Sequence, residues 1–222
     1  MRITLFSLSF FLSAAAWSQN SYTKVQWQPS PSLHTIDKKY SDAAAVYVLD
    51  KKVSEYSIEK DGFFVYRTIH RIVHINNDQG IESFNKVYLP FGEGVEMMDV
   101  KARAVLPNGK VMELNKAAIK DIKDDDGNAY KIFAIDGLTK NCEVEYYYTL
   151  KKLPSYFGAD LISSRIPTLQ ARWELVAPAT LVFETKAYNN LPVVKDSSTA
   201  EKRYLWLDAQ NIDEAEEEKY AM

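Results

Sequence analysis

Apolar residues occupy every second position along several stretches of this chain, and this period limits the possible fold more than any other feature. The alternation is clearest at residues 99–106, 143–150 and 172–177. A period of two places the apolar side chains on one face of a β-strand and the intervening side chains on the other. The pattern therefore predicts a protein built from half-buried strands.

Other segments have the same character and are separated by turn residues. Further strands are predicted at residues 46–59, 63–75, 81–89, 130–135, 181–186 and 204–207. Asn108-Gly109 lies between two apolar runs and predicts a hairpin, because both residues tolerate a positive φ. A short helix is predicted around Asn115–Lys120. We predict an all-β fold, an antiparallel β-sandwich of two packed sheets with minor helix.

The N-terminus has the features of an export signal. Met1 and Arg2 form a basic start, and Ile3–Ala16 is mostly apolar. Small residues at Ala16 and Ser18 place signal-peptidase cleavage between Ser18 and Gln19. The apolar run is shorter than the roughly 20 residues that span a bilayer. We expect residues 1–18 to be a signal peptide and the mature protein to be periplasmic or secreted, with no transmembrane segment.

The mature chain divides into three parts by composition. Residues 19–41 are mostly polar and predict an extended lead-in, with an edge strand at Tyr22–Trp27. Residues 42–208 carry the strand pattern and form the β-sandwich domain. Residues 209–222 contain the charge run Asp213–Glu218, which is typical of a solvated connector. Because the chain stops after this connector without a further strand, we expect it to be the N-terminal part of a longer protein.

Charge and cysteine content narrow the functional classes. The formal net charge is −3, which argues against nucleic acid or an anionic membrane surface as a partner. Cys142 is the single cysteine, so an internal disulfide is excluded. As a candidate nucleophile Cys142 lacks a helix start that would lower its pKa, and a small buried apolar residue is the favoured interpretation.

Two motifs contain side chains of the kinds that bind metal ions. His70 and His74 share a strand face but stand about 13 Å apart at about 3.3 Å per residue, too far to bind one ion. Asp124–Asn128 invites a calcium interpretation, yet an EF-hand loop in this register would need ligands at Ile122 and Phe133. An irregular calcium loop stays open, and a polar hairpin turn is favoured. We predict no metal, cofactor or catalytic residue.

Arginine and tyrosine residues offer further alternatives. Arg67 and Arg71 share a strand face with apolar residues and are either exposed or paired with carboxylates across the sheet. Tyr146–Tyr148 and Tyr156-Phe157 could form a sugar-stacking platform, although core packing explains most of the tyrosine run. The sequence contains no glycine-rich phosphate loop, no paired-carboxylate signature and no serine nucleophile elbow.

Five short motifs occur in a recognisable order. They are Asp42–Val46, Asp78–Gly80, Leu106–Lys110, Ile132–Leu138 and Glu143–Tyr146. In this order and spacing, residues from about 40 to 190 resemble the domain of unknown function that precedes transglutaminase-like cores in exported bacterial proteins, frequent in the Bacteroidetes. Where that family tends to place a glycine before the last motif, this chain has Asn141-Cys142, which predicts a local difference in that turn.

The resemblance implies an immunoglobulin-like β-sandwich that is not itself the catalyst. In such proteins a Cys-His-Asp core follows, and because none of its motif is present here, no catalytic residue is carried over. The expected function is a non-catalytic N-terminal module that positions a substrate or partner for a C-terminal transglutaminase-like domain in the same polypeptide. Two alternatives stay open: a self-contained cell-envelope module that binds a glycan or peptide, and a stand-alone hydrolase that uses Cys142.

Overall fold

The computed structural model describes residues 22–125, 127 and 129–215. The predicted export signal lies outside these residues. The all-β prediction is confirmed, and the strands pack as a sandwich. The strands are β1 (Ala45–Glu59), β2 (Gly62–Ile75), β3 (Lys86–Pro90), β4 (Glu96–Val105), β5 (Val111–Glu113), β6 (Lys120–Lys123), β7 (Ala129–Ala134), β8 (Glu143–Lys152), β9 (Thr168–Pro178), β10 (Lys195–Asp196) and β11 (Lys202–Ile212).

The strands form one large and one small sheet. The large sheet has eight strands in the order β10-β11-β9-β1-β2-β8-β4-β5, and the small sheet has the order β3-β7-β6. Neighbouring strands are antiparallel, except that β1 and β9 run parallel. The parallel pair lies near the middle of the large sheet and not at its edge.

The main core lies between the two sheets. Val87 and Leu89 of β3 and Phe133 of β7 are buried against apolar residues of β2, β4 and β8. Two smaller apolar clusters lie over β9 and β11 on the remainder of the large sheet. They are covered by partly buried residues such as Leu181, Phe183 and Leu191, which belong to irregular segments and not to strands. No helix in the described part of the chain is long and apolar enough to cross a membrane.

The strand predicted at residues 81–89 is wrong in its first half. Helix α1 (Asp78–Phe84) occupies this part, and only Lys86–Pro90 is a strand. The side chain of Asn77 caps the helix by accepting the Gly80 N–H at 3.1 Å. Ile81 and Phe84 both pack against the main core, which is the three-residue spacing of a helix face.

Two further strand predictions are also wrong. Residues 181–186 form no strand, although Leu181 and Phe183 pack on the cluster around Leu175. Alternating burial therefore arises here without a neighbouring strand to complete a ladder. The predicted edge strand at Tyr22–Trp27 is irregular as well. The short helix predicted near Asn115 is present as a 3₁₀ turn, Lys116–Ala118, and a further 3₁₀ turn lies at Lys38–Tyr40.

Asn141 lies in the turn before β8, where the resembled family tends to place a glycine. Asn141 adopts φ +61°, the left-handed conformation that glycine favours and that asparagine tolerates better than most residues. Its N–H donates to the carbonyl of Ile75 at 2.7 Å, and the Ile75 N–H donates to the carbonyl of Cys142 at 2.9 Å. The chain therefore keeps a glycine-like backbone at the entry to β8 with a different residue.

Candidate functional site

The alternation in β8 gives the large sheet two faces of opposite chemistry. Val144 and Tyr146 point into the main core, and Glu143 and Glu145 lie on the other face, yet all four are buried. We call the second face the polar face of the large sheet. Two carboxylates buried at alternate positions of one strand need partners, because an unpaired buried charge is strongly unfavourable. The candidate site is therefore the group of side chains that pairs with them.

Glu143 is held by two histidines that lie far apart in the sequence. Its carboxylate accepts the backbone N–H of His34 at 2.7 Å and lies 2.9 Å from His34 Nδ1. His74, its direct neighbour on β2, places Nδ1 at 3.3 Å. The lead-in therefore reaches β8 and completes the pairing of a buried acid.

Glu145 is held by an arginine and the third histidine. Arg103 of β4 lies directly opposite and donates from Nε at 2.8 Å and from Nη2 at 2.5 Å to the same carboxylate oxygen. His70 Nε2 lies 2.9 Å from the other oxygen. Arg103 is only 2 % exposed, so this is a buried charge pair. Its second Nη donates at 2.5 Å to the carbonyl of Gln28 in the lead-in.

Hydrogen bonding dominates the electrostatics of both acids. Burial by itself raises the pKa of Glu143, but hydrogen bonds from His74 and His34 more than offset it and hold the pKa below its usual value. Burial likewise raises the pKa of Glu145, and hydrogen bonds from His70 and Arg103 hold it below its usual value. Both groups are therefore carboxylates at neutral pH, and their chemistry is hydrogen-bond acceptance.

His70 and His74 do not combine into a metal site. They pair with different carboxylates, and the described residues contain no group of three or more histidine, cysteine and acidic side chains that could hold a metal ion. The structure describes part of the Asp124–Asn128 motif, which lies between β6 and β7. Gly127 has φ +84° and donates its N–H to the backbone carbonyl of Asp124 at 3.0 Å. Asp126 and Asn128 lie outside the described residues.

Cys142 lies in the main core, and none of it is exposed. Burial raises the pKa of its thiol above the usual value. A nucleophilic cysteine needs access and a lowered pKa, and the surroundings of Cys142 provide the opposite of both.

Arg67 and Arg71 form ion pairs on the core-facing side of the large sheet. Arg71 Nε donates at 2.9 Å to Asp50, its direct neighbour on β1, and Asp50 also pairs with Lys52. Arg67 pairs with Asp160, whose carboxylate also accepts the indole N–H of Trp173 at 2.7 Å. The cross-strand alternative is confirmed for Arg71, whereas Arg67 binds a residue of the 153–167 connection.

The aromatic residues divide into buried and exposed groups. Tyr146, Tyr147 and Tyr148 are all buried; Tyr146 and Tyr148 lie in the main core, as core packing predicts, whereas Tyr147 lies on the polar face against Trp27. Tyr156 and Phe157 are 98 % and 91 % exposed and lie on the connection between β8 and β9.

Sequence reasoning missed the residues that define the polar face. The sequence patterns indicated no functional role for His34, Trp27 or Arg103. The available signal was the alternation itself, since Glu143 and Glu145 flank Val144 and precede the run Tyr146–Tyr148 in one strand. What covers the polar face is set by the lead-in, which is distant in sequence and has no strand pattern.

The sequence pattern of DUF3857, a domain of unknown function with a solved structure, matches residues 64–212. The chain belongs to the DUF3857 family. The match covers every strand from β3 to β11 together with most of β2. No curated protein sequence matches this DUF3857 chain significantly.

A solved bacterial structure shares the fold at low sequence identity. A "putative protease" from Parabacteroides distasonis matches with a TM-score of 0.65 and 12 % identity, over 80 % of this chain and 37 % of that one. This DUF3857 chain therefore spans little more than a third of the Parabacteroides protein. Yeast LTA4 hydrolase in complex with bestatin matches with a TM-score of 0.35 and 6 % identity, over 82 % of this chain and 31 % of that one, which does not establish a common fold.

Proposed function

We propose that this DUF3857 domain is a non-catalytic module of an exported, transglutaminase-like protein, and that it positions a substrate or partner for a catalytic domain elsewhere in the same polypeptide. The supporting observation is the environment of Cys142. The single thiol of the chain is enclosed in the main core, and burial raises its pKa. The order of the motifs supports the transglutaminase-like context.

An activity assay tests the non-catalytic role. The chain and its Cys142→Ala variant are incubated with fluorescent casein, and separately with a glutamine peptide and a fluorescent amine. We expect no peptide hydrolysis and no amine incorporation above the level of the variant. Turnover by the chain that the Cys142→Ala substitution removes would overturn the proposal in favour of a thiol hydrolase.

Two measurements, one on the natural protein and one on its gene, test the proposed export and the proposed modular role. Export predicts that the mature protein begins at Gln19, which N-terminal sequencing of the periplasmic or secreted fraction determines. The modular role predicts that the reading frame continues beyond Met222 into a segment with a cysteine at a helix start and a later histidine and aspartate. A stop codon directly after Met222 would contradict the modular role and leave the export prediction standing.

A second candidate function is a cell-envelope module that binds glycans. The specific observation is the pair Tyr156-Phe157, since two adjacent, almost fully exposed aromatic rings are typical of binding surfaces and rare elsewhere. Titration with cell-wall oligosaccharides, followed by tyrosine and tryptophan fluorescence, tests it. Binding that Tyr156→Ala and Phe157→Ala abolish would favour this function, and an unchanged signal across the titration would eliminate it.

A further inference from the structure

Residues 22–34 of the lead-in, which we call the strap, cross the polar face of the large sheet without forming a helix or strand. Three sites hold the strap. The Glu55 carboxylate accepts the Thr23 N–H at 2.8 Å and the Thr23 hydroxyl at 2.9 Å. Arg103 donates to the carbonyl of Gln28, and Glu143 binds the N–H and ring of His34.

At all three sites the sheet binds a main-chain group of the strap. The groups bound at the three sites include the N–H of Thr23, the carbonyl of Gln28 and the N–H of His34. Every extended peptide carries such groups, so these contacts do not depend on the side chains of the strap.

Strap side chains add specific contacts: Tyr22 stacks on Tyr66 of β2 at 5.1 Å between ring centroids, and Trp27 meets two further sheet residues. The guanidinium carbon of Arg103 lies 4.1 Å from the centroid of the Trp27 ring, and Tyr147 meets the same ring edge-on at 5.5 Å. A cation above an aromatic face and an edge-on neighbour are both favourable geometries. The polar face therefore combines main-chain acceptors and donors with places for two aromatic rings.

The strap is a separate layer and not part of the hydrophobic core. The three apolar clusters of the described residues include none of residues 22–34, and no strap residue is buried. The sheet side chains that it contacts are charged or aromatic: Glu55, Tyr66, Arg103, Glu143 and Tyr147. Charged groups regain hydration when they are uncovered, so lifting the strap costs less than exposing an equal apolar area.

The strap leaves part of the polar face unfilled. A cavity of about 380 Å³ lies between Thr23–Gln26 and the sheet residues Lys51, Glu55, Thr68 and His70. This volume lies within the range of small ligand pockets, so the polar face has unoccupied room beside the strap.

We propose that the polar face of the large sheet is a docking site for an extended peptide with an aromatic residue, and that the strap occupies this site as an internal ligand until a partner segment replaces it. The inference deepens the proposed function, because it identifies the surface and the class of partner. It is tested by binding alone, so its failure would leave the activity assay of the proposed function unaffected.

The experiment loosens the strap in the full chain and adds a substitute. Trp27→Ala removes the aromatic contact, and a fluorescently labelled synthetic peptide of residues 22–34 is the probe. We expect this peptide to bind the Trp27→Ala variant at least about ten-fold more tightly than the unaltered chain, as followed by fluorescence anisotropy. A peptide that carries alanine in place of tryptophan should bind at least about ten-fold more weakly to the variant.

A matched control distinguishes the effect of releasing the strap from a general effect of removing a tryptophan. Trp206 stacks on Tyr204 in β11, two strands away from β1, which carries Glu55. The Trp206→Ala variant is expected to bind the peptide no better than the unaltered chain. Equal binding by the two variants, or no binding by Trp27→Ala, would overturn the proposal.

Hydrogen exchange of the unaltered chain gives an independent test. We expect the N–H groups of Thr23 and His34 to exchange at least about ten-fold faster than those in the middle of β8, since the strap opens without the sheet. Exchange at the same rate would show that the strap is an integral part of the fold and would overturn the proposal. A variant that dimerises by exchanging straps, as measured by light scattering, would also overturn it, because the occupant would then be a second copy.

Discussion

At the residue scale, the unusual feature of this protein is how many charged side chains it buries. Arg103 and Glu143 are each only 2 % exposed, although such residues are almost never buried without a partner. Each has several hydrogen bonds, and the partners come from different elements. Removing one member leaves the others buried with an uncompensated charge, which costs more than the pair contributes.

Replacing Arg103 tests this view. Arg103→Met takes the guanidinium away from the buried Glu145 carboxylate and the Gln28 carbonyl, and we expect the free energy of unfolding to fall by about 3–5 kcal/mol. Urea unfolding followed by circular dichroism measures it. Lys101→Met is the matched control, because Lys101 is an exposed cation on the same strand that also lies over the Trp27 ring, at 5.7 Å. Its effect should stay within about 0.5 kcal/mol, and an equal loss in both variants would contradict the prediction.

The thiol of Cys142 should be inert in the folded protein. No part of it is exposed and burial raises its pKa, so both access and thiolate formation are suppressed. We expect a thiol-specific chromogenic reagent to label Cys142 at least about a hundred-fold more slowly in the native protein than in denaturant. Labelling of the native protein at the denatured rate would show that the cysteine is accessible.

At the element scale, two of the recognisable sequence motifs meet in space. Gly80 of α1 lies against the backbone of Ala44, and a Cβ built on Gly80 would stand 2.1 Å from the Ala44 carbonyl oxygen. The N–H of Asn76 donates to the same oxygen at 3.1 Å. The two motifs, residues 42–46 and 78–80, therefore fix where the helix meets the start of β1, and glycine is required because only hydrogen fits.

Substituting Gly80 should accordingly be costly. Gly80→Ala forces α1 away from Ala44, and we expect a loss of about 1–3 kcal/mol, the usual range for overpacking. Gly158→Ala is the control, because no atom lies within 4 Å of the Cβ that it would add. Thermal unfolding of both variants measures the difference. If Gly80→Ala were as stable as Gly158→Ala, the close approach would not constrain the fold.

At the scale of the whole molecule, the large sheet carries the apolar clusters and the ion pairs of Arg67 and Arg71 on one side and a charged layer on the other. Glu143 and Glu145 lie in the charged layer, and on β9 the pKa of Glu174 is also held below its usual value, where hydrogen bonds from Lys51 and Arg172 outweigh the effect of burial. Acids with lowered pKa values stabilise the fold above the pKa of the unfolded chain, because the folded state then binds fewer protons.

Stability should therefore fall on the acid side of neutrality. The usual pKa of glutamate is 4.5, and we expect the stabilisation to be complete above it and to be lost as the pH falls through the lower folded-state values. Denaturant unfolding between pH 7 and pH 3 measures this dependence. Glu143→Gln removes one of the acids, so the variant should be less stable at pH 7 and lose less on acidification. Parallel curves for the two proteins would contradict the role of Glu143.

The sequence by itself determined the strands, because a period of two residues is a local property that each segment carries. It indicated the turns in the same way, and it misplaced α1 and the segment at 181–186, where burial alternates without a ladder. The tertiary structure alone decided which polar positions are buried and which groups pair with them. His34 and Glu143 are 109 residues apart, and no local pattern specifies that the lead-in covers β8. The polar face exists because non-local packing brings these hydrogen-bonding groups together.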